Sequence, residues 1–312
     1  MKKTSKILEV ASPDINRTAW DACVQKHDPG LLYMQSWFLD IMAPGWEALV
    51  QPDGDAGGYT AIMVLPCRRK WTISYLYQPY LAAQLGYVGP DNSPENMKRF
   101  FDAIPSRFRY WDFCMNERNP LSVPGYAIRR RRNRVLSLQQ PYEALRDHFS
   151  DNCLRNIRKA ETKHCFVQQQ GAEGTEEAIA LYARTSRFPP RPADLHRIKQ
   201  LTKTMKEKRQ LTVYTVRSEK GQLLSTAIFF WQDNRSYFLL PANAPAARDA
   251  GSSYALVNTF IKDHSNSPAI LDFEGSDIAS VDRFYAGFGA EERFYPSVVK
   301  NKLPWGMRSL KK

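Results

Sequence analysis

"ARDAGSSYALVNTFIKDHSNSPAILDFEG", residues 247–275, decides how this chain reads. Arg248-x-x-Gly251-x-Ser253 places small residues directly before an apolar helix that runs to about His264. A polar turn and the strand "AILDF" follow. The first N–H groups of a helix have no partner inside it and carry a partial positive charge, so a phosphate suits this position. Glycine and serine at a helix start also serve as ordinary caps. Downstream, "LDFEGSDIASVDRFYAGFGAEE" leaves the strand with Asp272 and Glu274 and resumes as a helix from about Ile278 carrying Phe284, Tyr285 and Phe288.

The strand recurs. "FFDAIPSRFRYWDFCMNE", from Phe100, has the same order of helix end, turn and strand as "FIKDHSNSPAILDFEGSD" from Phe260, and Asp112 and Asp272 lie 160 residues apart. Such internal similarity marks a duplicated unit. In the second half, "CFVQQQ", "LTVYTVR", "LLSTAIFFW", "SYFLLPA" and "ERFYPSVVK" read as strands. Thr175–Thr185 reads as a helix, and Leu195, Ile198, Leu201 and Met205 recur at helical spacing. The first half offers helices at 18–27, near Trp37 and at 95–103, with strands "WEALVQ", "YTAIMVLPC", "TISYLY", "RYWDF" and "YAIRRRRNRVLSL". The expected fold is α+β, with a mixed, mainly antiparallel central sheet flanked by helices in each half. The expected boundary gives domains 1–140 and 141–312, with "YEALRDHFSDNCLRNIRKAETKH" as a helical connector after Pro141.

Composition narrows the function. At 312 residues, 43% hydrophobic, the chain supports two globular domains. Its apolar runs are far shorter than the roughly 18 residues of a membrane span, and Met1 to Lys6 is basic without a following apolar region. The expectation is a cytoplasmic protein without membrane insertion. Five cysteines form no metal-ligand spacing, so no metal is expected; Cys153, near His148, reads as a buried thiol. The net charge of +12 concentrates at 129–163, with ten Lys/Arg against four acids, and at 184–209, with nine against two. Such a field suits a phosphate-bearing ligand, a nucleotide or an RNA, and equally a solvated face. Arg155, Arg158 and Lys159 are read first as a solvated face and second as a phosphate grip; His196 is read as a surface residue. Trp71, Tyr75, Tyr77, Tyr80 and Tyr87 read as core aromatics or as the lining of an acceptor groove.

Arg248-x-x-Gly251-x-Ser253 after a strand resembles the acyl-CoA pyrophosphate loop of the GNAT acetyltransferases. "VDRFYAGFGAEE" looks like the GNAT segment in which a tyrosine precedes "GF", and "DNCLRNIRKAETKHCFVQ" is similar to a segment of the FemAB/FemX aminoacyltransferases, which are tandem GNAT-like domains. The resemblance implies two tandem GNAT-like domains, the second holding acetyl-CoA or another acyl-CoA as co-substrate through Arg248, Ala250, Gly251, Ser252 and Ser253. Its pantetheine arm would enter where the strands near 238–241 and 271–273 diverge. Tyr285 matches the tyrosine that protonates the leaving thiolate. The position of the Fem lysine is occupied by Tyr285, which favours a thioester donor over aminoacyl-tRNA.

Alternation along a strand would set Asp272 and Glu274 on one side, where both read first as strand-end acids that pair with local basic residues or cap the next helix, and second as a repelling pair of which one takes a raised pKa and serves as a base. Asp112 repeats Asp272, so that aspartate is expected to be architectural; Glu274 corresponds to Cys114, leaving Glu274 and Tyr285 as the catalytic candidates. The expected activity is direct transfer of an acyl group to the amine of a small-molecule or precursor acceptor in a cleft between the domains. The alternatives are tRNA-dependent aminoacyl transfer to a cell-wall precursor, and a GNAT-like nucleotide- or RNA-binding protein without turnover.

Overall fold

The computed structural model describes residues 6–54, 57–171, 174–275 and 277–304; the expected basic start, up to Ser5, lies outside them. The chain divides into two compact units, one of the described residues up to Arg132 with those from Phe294 onward, the other Asn133–Arg293.

The first unit begins with β1 (Leu8–Val10), α1 (Arg17–His27), α2 (Ser36–Met42), β2 (Glu47–Pro52) and β3 (Tyr59–Leu65). Then come β4 (Cys67–Lys70), β5 (Ile73–Tyr77), β6 (Tyr87–Val88), α3 (Pro94–Ala103) and β7 (Phe108–Cys114). Strands β1, β2, β3 and β6 form one antiparallel sheet. In the other, β4 pairs antiparallel with β5, and β5 pairs parallel with β7, whose far edge takes residues 297–301 antiparallel. One core cluster spans both sheets, in which Leu65, Phe113 and Val298 pack with Phe100 and Phe101 of α3. Tyr87 is buried against Phe100, so it belongs to this core, whereas Trp71 is exposed.

The second unit takes up the end of β8 (Ile128–Ser137) and continues through α4 (Tyr142–Arg146), α5 (Asp151–Thr162), β9 (Phe166–Gln170), α6 (Thr175–Thr185) and α7 (Pro192–Glu207). There follow β10 (Leu211–Arg217), β11 (Leu223–Gln232), β12 (Arg235–Asn243), α8 (Ala247–Ala250), α9 (Ser252–His264), β13 (Ile270–Asp272), α10 (Ala279–Ala286) and β14 (Glu291–Asn301). Its strand order is β8, β13, β12, β11, β10, β9, antiparallel throughout except for the parallel pair β12 and β13. Helix α9 lays Phe260 flat on Phe229 of β11, ring centroids 3.8 Å apart, at the centre of the unit's core. The expected connector helix is two helices, because Ser150 caps α5 by accepting from the Cys153 N–H.

The repeat is structural. In each unit a strand, a helix and a parallel strand follow in order, β5–α3–β7 and β12–α9–β13, and Tyr77 stands opposite Asp112 as Tyr237 stands opposite Asp272. The strand that flanks the repeated one comes from elsewhere in the chain. The β8 residues 135–137 lie against β13, and the β14 residues 297–301 lie against β7. This exchange makes the division fall at 132/133 and returns the chain from Phe294 to the first unit, unlike the expected cut at 140.

Candidate active site

Gly251 joins α8 to α9 with φ of +68°, and a Cβ there would stand 2.4 Å from the Asn156 carbonyl oxygen of α5. Only glycine admits both the left-handed backbone and this approach. The first turn of α9 is thereby pressed against α5, which carries Asn152, Arg155, Asn156 and Lys159 on the facing side. These residues, with Arg248, Asp249, Gly251, Ser253 and Tyr254, line a cavity of about 850 Å³. Three cations thus face one carboxylate over the N-terminus of a 13-residue helix. Arg155 and Lys159, expected first as a solvated face, stand one helical turn apart in this wall. Arg155 is held by donating to Asn152 Oδ1 at 2.7 Å. Two residues expected to touch a coenzyme are absent from this lining. The Ser252 side chain is fully buried and Ala250 is 8% exposed, so the short helix α8 replaces the open loop expected there.

A second cavity, of about 240 Å³, adjoins the first and shares Asn243, Ser253, Ser280 and Phe284 with it. Its remaining lining is mostly apolar, with Phe238, Pro241, Leu256, Val281 and Tyr285. A bulge in β12 shapes it. Ile228 pairs with Leu239 but Thr226 pairs with Ala242, so β12 spends one residue more than β11, and Leu240 takes φ of +52°. One extra residue reverses which side chains face a given side, so Phe238 before the bulge and Pro241 and Asn243 after it meet the same cavity. The parallel pairing of β12 with β13 covers only Arg235–Tyr237 against Ile270–Asp272, and β12 continues past its end to Asn243. The opening lies where strand divergence was expected.

Strand β13 stops at Asp272, and the alternation expected to align Asp272 with Glu274 does not hold. Glu274 takes φ of +59° and donates its backbone N–H to Asp272 Oδ1 at 2.9 Å. Asp272, fully buried, accepts from Arg235 Nε at 2.8 Å and lies 2.7 Å from Nη2 in an ion pair, the architectural role expected of it. The same pairing device fixes α10. Asp282 accepts both ends of the Arg134 fork, at 2.7 and 3.1 Å, so one arginine of the basic "RRRRNR" run is a half-buried anchor.

Anchoring α10 in this way sets Tyr285 in the apolar cavity, its ring stacked on Phe273 at 4.8 Å. Burial is the main force raising the Tyr285 phenol above its ordinary value, and the negative charges of Glu274 and Asp272 add to it. The phenol therefore stays protonated across the physiological range and is equipped to give a proton, not to take one. Glu274 is half-buried and close enough to act on that phenol, while the described cavity lining includes Tyr285 and not Glu274.

Other candidates resolve simply. Burial pushes the Cys153 thiol up to about 12, an inert core thiol, and His196 is exposed. Among the described residues no cluster of His, Cys, Asp or Glu is arranged to hold a metal ion, and no helix is long and apolar enough to cross a membrane. Asn243, Ser225 and Ser280 carried no sequence signal; Pro241, a proline inside an apparent strand, is the one mark of the bulge.

Residues 147–266 match the family model described as an acetyltransferase (GNAT) domain. Solved structures extend the likeness over the whole chain. The crystal structure of FemX is 14% identical with a TM-score of 0.64, covering 98% of this chain and 99% of that one. L-PGS from Bacillus licheniformis is 9% identical with a TM-score of 0.51, covering 95% of each chain. The C-terminal domain of a putative lysylphosphatidylglycerol synthetase from Agrobacterium fabrum is 10% identical with a TM-score of 0.50, covering 94% of each. No curated protein matches the chain in sequence. The domain match makes residues 147–266 similar in sequence to GNAT acetyltransferase domains. Over its whole length the fold is similar to that of FemX.

Proposed function

We propose that the second unit transfers an acyl group from acyl-CoA, acetyl-CoA being the simplest, to an amine by direct attack. The observation that carries this reading is the pair of joined cavities, one basic and set over the start of α9, the other apolar and containing Tyr285. A coenzyme pyrophosphate fits the first, between Arg155, Lys159 and Arg248, and a pantetheine thioester fits the second. The amine nitrogen attacks the thioester carbonyl carbon, and the C–N bond forms as the amine proton passes to the Glu274 carboxylate. Collapse of the tetrahedral intermediate breaks the C–S bond, and the thiolate takes the Tyr285 phenolic proton.

A second reading, an aminoacyl-tRNA donor, is favoured by the end-to-end likeness to FemX and by the cations of the α6–α7 region. Arg184, Arg187, Arg191, Lys199, Lys203 and Lys206 are all exposed there, a field suited to an RNA backbone. Equilibrium binding separates the two. Saturable acetyl-CoA binding below about 1 mM, with only weak, sequence-independent RNA binding, supports the thioester donor. Tight binding of charged tRNA without any of acetyl-CoA supports the other.

A further inference from the structure

Ser225, Ser252, Ser253 and Asn243 form a closed set of polar contacts where the two cavities join, and counting their protons shows which way the Asn243 amide points. Asn243 Oδ1 lies 2.7 Å from both Ser225 Oγ and Ser253 Oγ, and Ser225 Oγ lies 2.7 Å from Ser252 Oγ. Ser252 Oγ also lies 3.2 Å from the Ala247 carbonyl. Each hydroxyl has one proton to give. If Ser252 gave its proton to Ala247, Ser225 would have to donate to Ser252, and the asparagine atom beside Ser225 would have to be a donor, its nitrogen. The distances select the other arrangement. Contacts of 2.7 Å are typical of O–H···O bonds and short for N–H···O, whereas 3.2 Å is long for a hydroxyl donor. Ser252 therefore donates to Ser225, and Ser225 and Ser253 both donate to Asn243 Oδ1. The amide oxygen is saturated, which leaves the Asn243 Nδ2 protons for a ligand. Asn243 belongs to the lining of both cavities, so a molecule running from the basic cavity into the apolar one passes this amide.

We propose that Asn243 Nδ2 is the hydrogen-bond donor that seats an amide carbonyl of the donor's pantetheine arm, held in that orientation by the hydroxyls of Ser225 and Ser253. This inference rests on the thioester reading of the site and adds to it a residue that recognises the arm and not the phosphates. The site thus selects pantetheine thioesters over phosphate-bearing donors that carry no amide between phosphate and acyl group. Ser253 acquires a different part from the one expected of it, since its side chain orients Asn243 while its backbone starts α9.

Asn243→Asp tests this closely, because a carboxylate still accepts from both serines and lacks the donor, while the charge it adds to the basic cavity is read separately by a ligand without the arm. The wild type and the variant are titrated calorimetrically with coenzyme A and with adenosine 3′,5′-bisphosphate, which lacks the arm, and their Tm values are compared. The expected result is coenzyme A binding weakened at least about tenfold in the variant, a loss on the scale of one hydrogen bond to a buried ligand group. Bisphosphate affinity and Tm should stay at wild-type values. Equal weakening of both ligands would mean that the new charge acts on the phosphates and would overturn the inference, as would unchanged coenzyme A affinity. A fall in Tm would mean that the amide nitrogen faces the serines and would overturn the assigned orientation. A wild type that binds neither ligand would instead refute the thioester reading itself, and this inference with it.

Discussion

Replacing Gly251 with alanine tests whether the contact of α9 with α5 builds the basic cavity. The added Cβ meets two costs. The backbone must hold φ of +68° with a side chain present, about 1–2 kcal/mol. The methyl group must also be fitted 2.4 Å from the Asn156 carbonyl oxygen, 3.3 Å from its carbon and 3.5 Å from the Ala160 nitrogen. All three are backbone atoms of one helix, so no side chain can swing away, and overpacking of this kind costs about 1–3 kcal/mol. The expected total of about 2–5 kcal/mol corresponds to a fall in Tm of roughly 5–20 °C for a domain of this size. Gly221 supplies the control, since its φ is +77° and a Cβ there meets nothing within 4 Å. Gly221→Ala should cost the backbone term alone. Thermal unfolding followed by circular dichroism reads both variants, and their difference isolates the Asn156 contact. Equal losses at the two positions, or a loss below about 1 kcal/mol at Gly251, would refute the reasoning.

Tyr285→Phe should lower the acyl-transfer kcat about 10²–10⁴-fold while leaving acyl-CoA affinity within twofold, as general-acid removal does; an unchanged kcat removes Tyr285 from the chemistry. Because burial and two carboxylates raise its pKa, Tyr285 should produce no alkaline fall in the wild-type rate below about pH 10, the ordinary tyrosine value. A tyrosine-dependent limb near pH 8, absent from Tyr285→Phe, would contradict that. Glu274→Gly relieves a left-handed backbone and should raise stability by about 1 kcal/mol while activity falls; retained activity would make Glu274 a turn residue only. Asp272→Asn should destabilise by about 3–5 kcal/mol in denaturant unfolding, since it leaves the Arg235 guanidinium, 11% exposed, without its anion.

Much of the second unit was legible because its elements have long, clean periods. Helix α6 starts and ends at the residues the pattern marked, and β10, β11 and β12 are long apolar runs between turns. Strands β1, β4 and β6 were missed, being two to four residues long and too short for alternation to register. The exchange of β8 and β14 was not legible, because local sequence says nothing of a pairing such as Val135 with Asp272. At the site, Gly251 was marked by its place before an apolar helix, and Tyr285 only by the resemblance to the GNAT segment. Asn243 was not marked, since its part depends on two serines, one of them 18 residues away in another strand. The expected alignment of Asp272 with Glu274 failed because it assumed that the strand continued; Asp272 turns inward to Arg235 and its other oxygen bends the chain at Glu274.

Amide hydrogen exchange with and without acetyl-CoA tests the central claim most directly, because it reports both binding and place. The account predicts slowed exchange at 250–256, where α9 begins, and at 238–243 along the bulged end of β12, with 6–132 unchanged. Protection confined to residues 6–132, or none at millimolar acetyl-CoA, would contradict it.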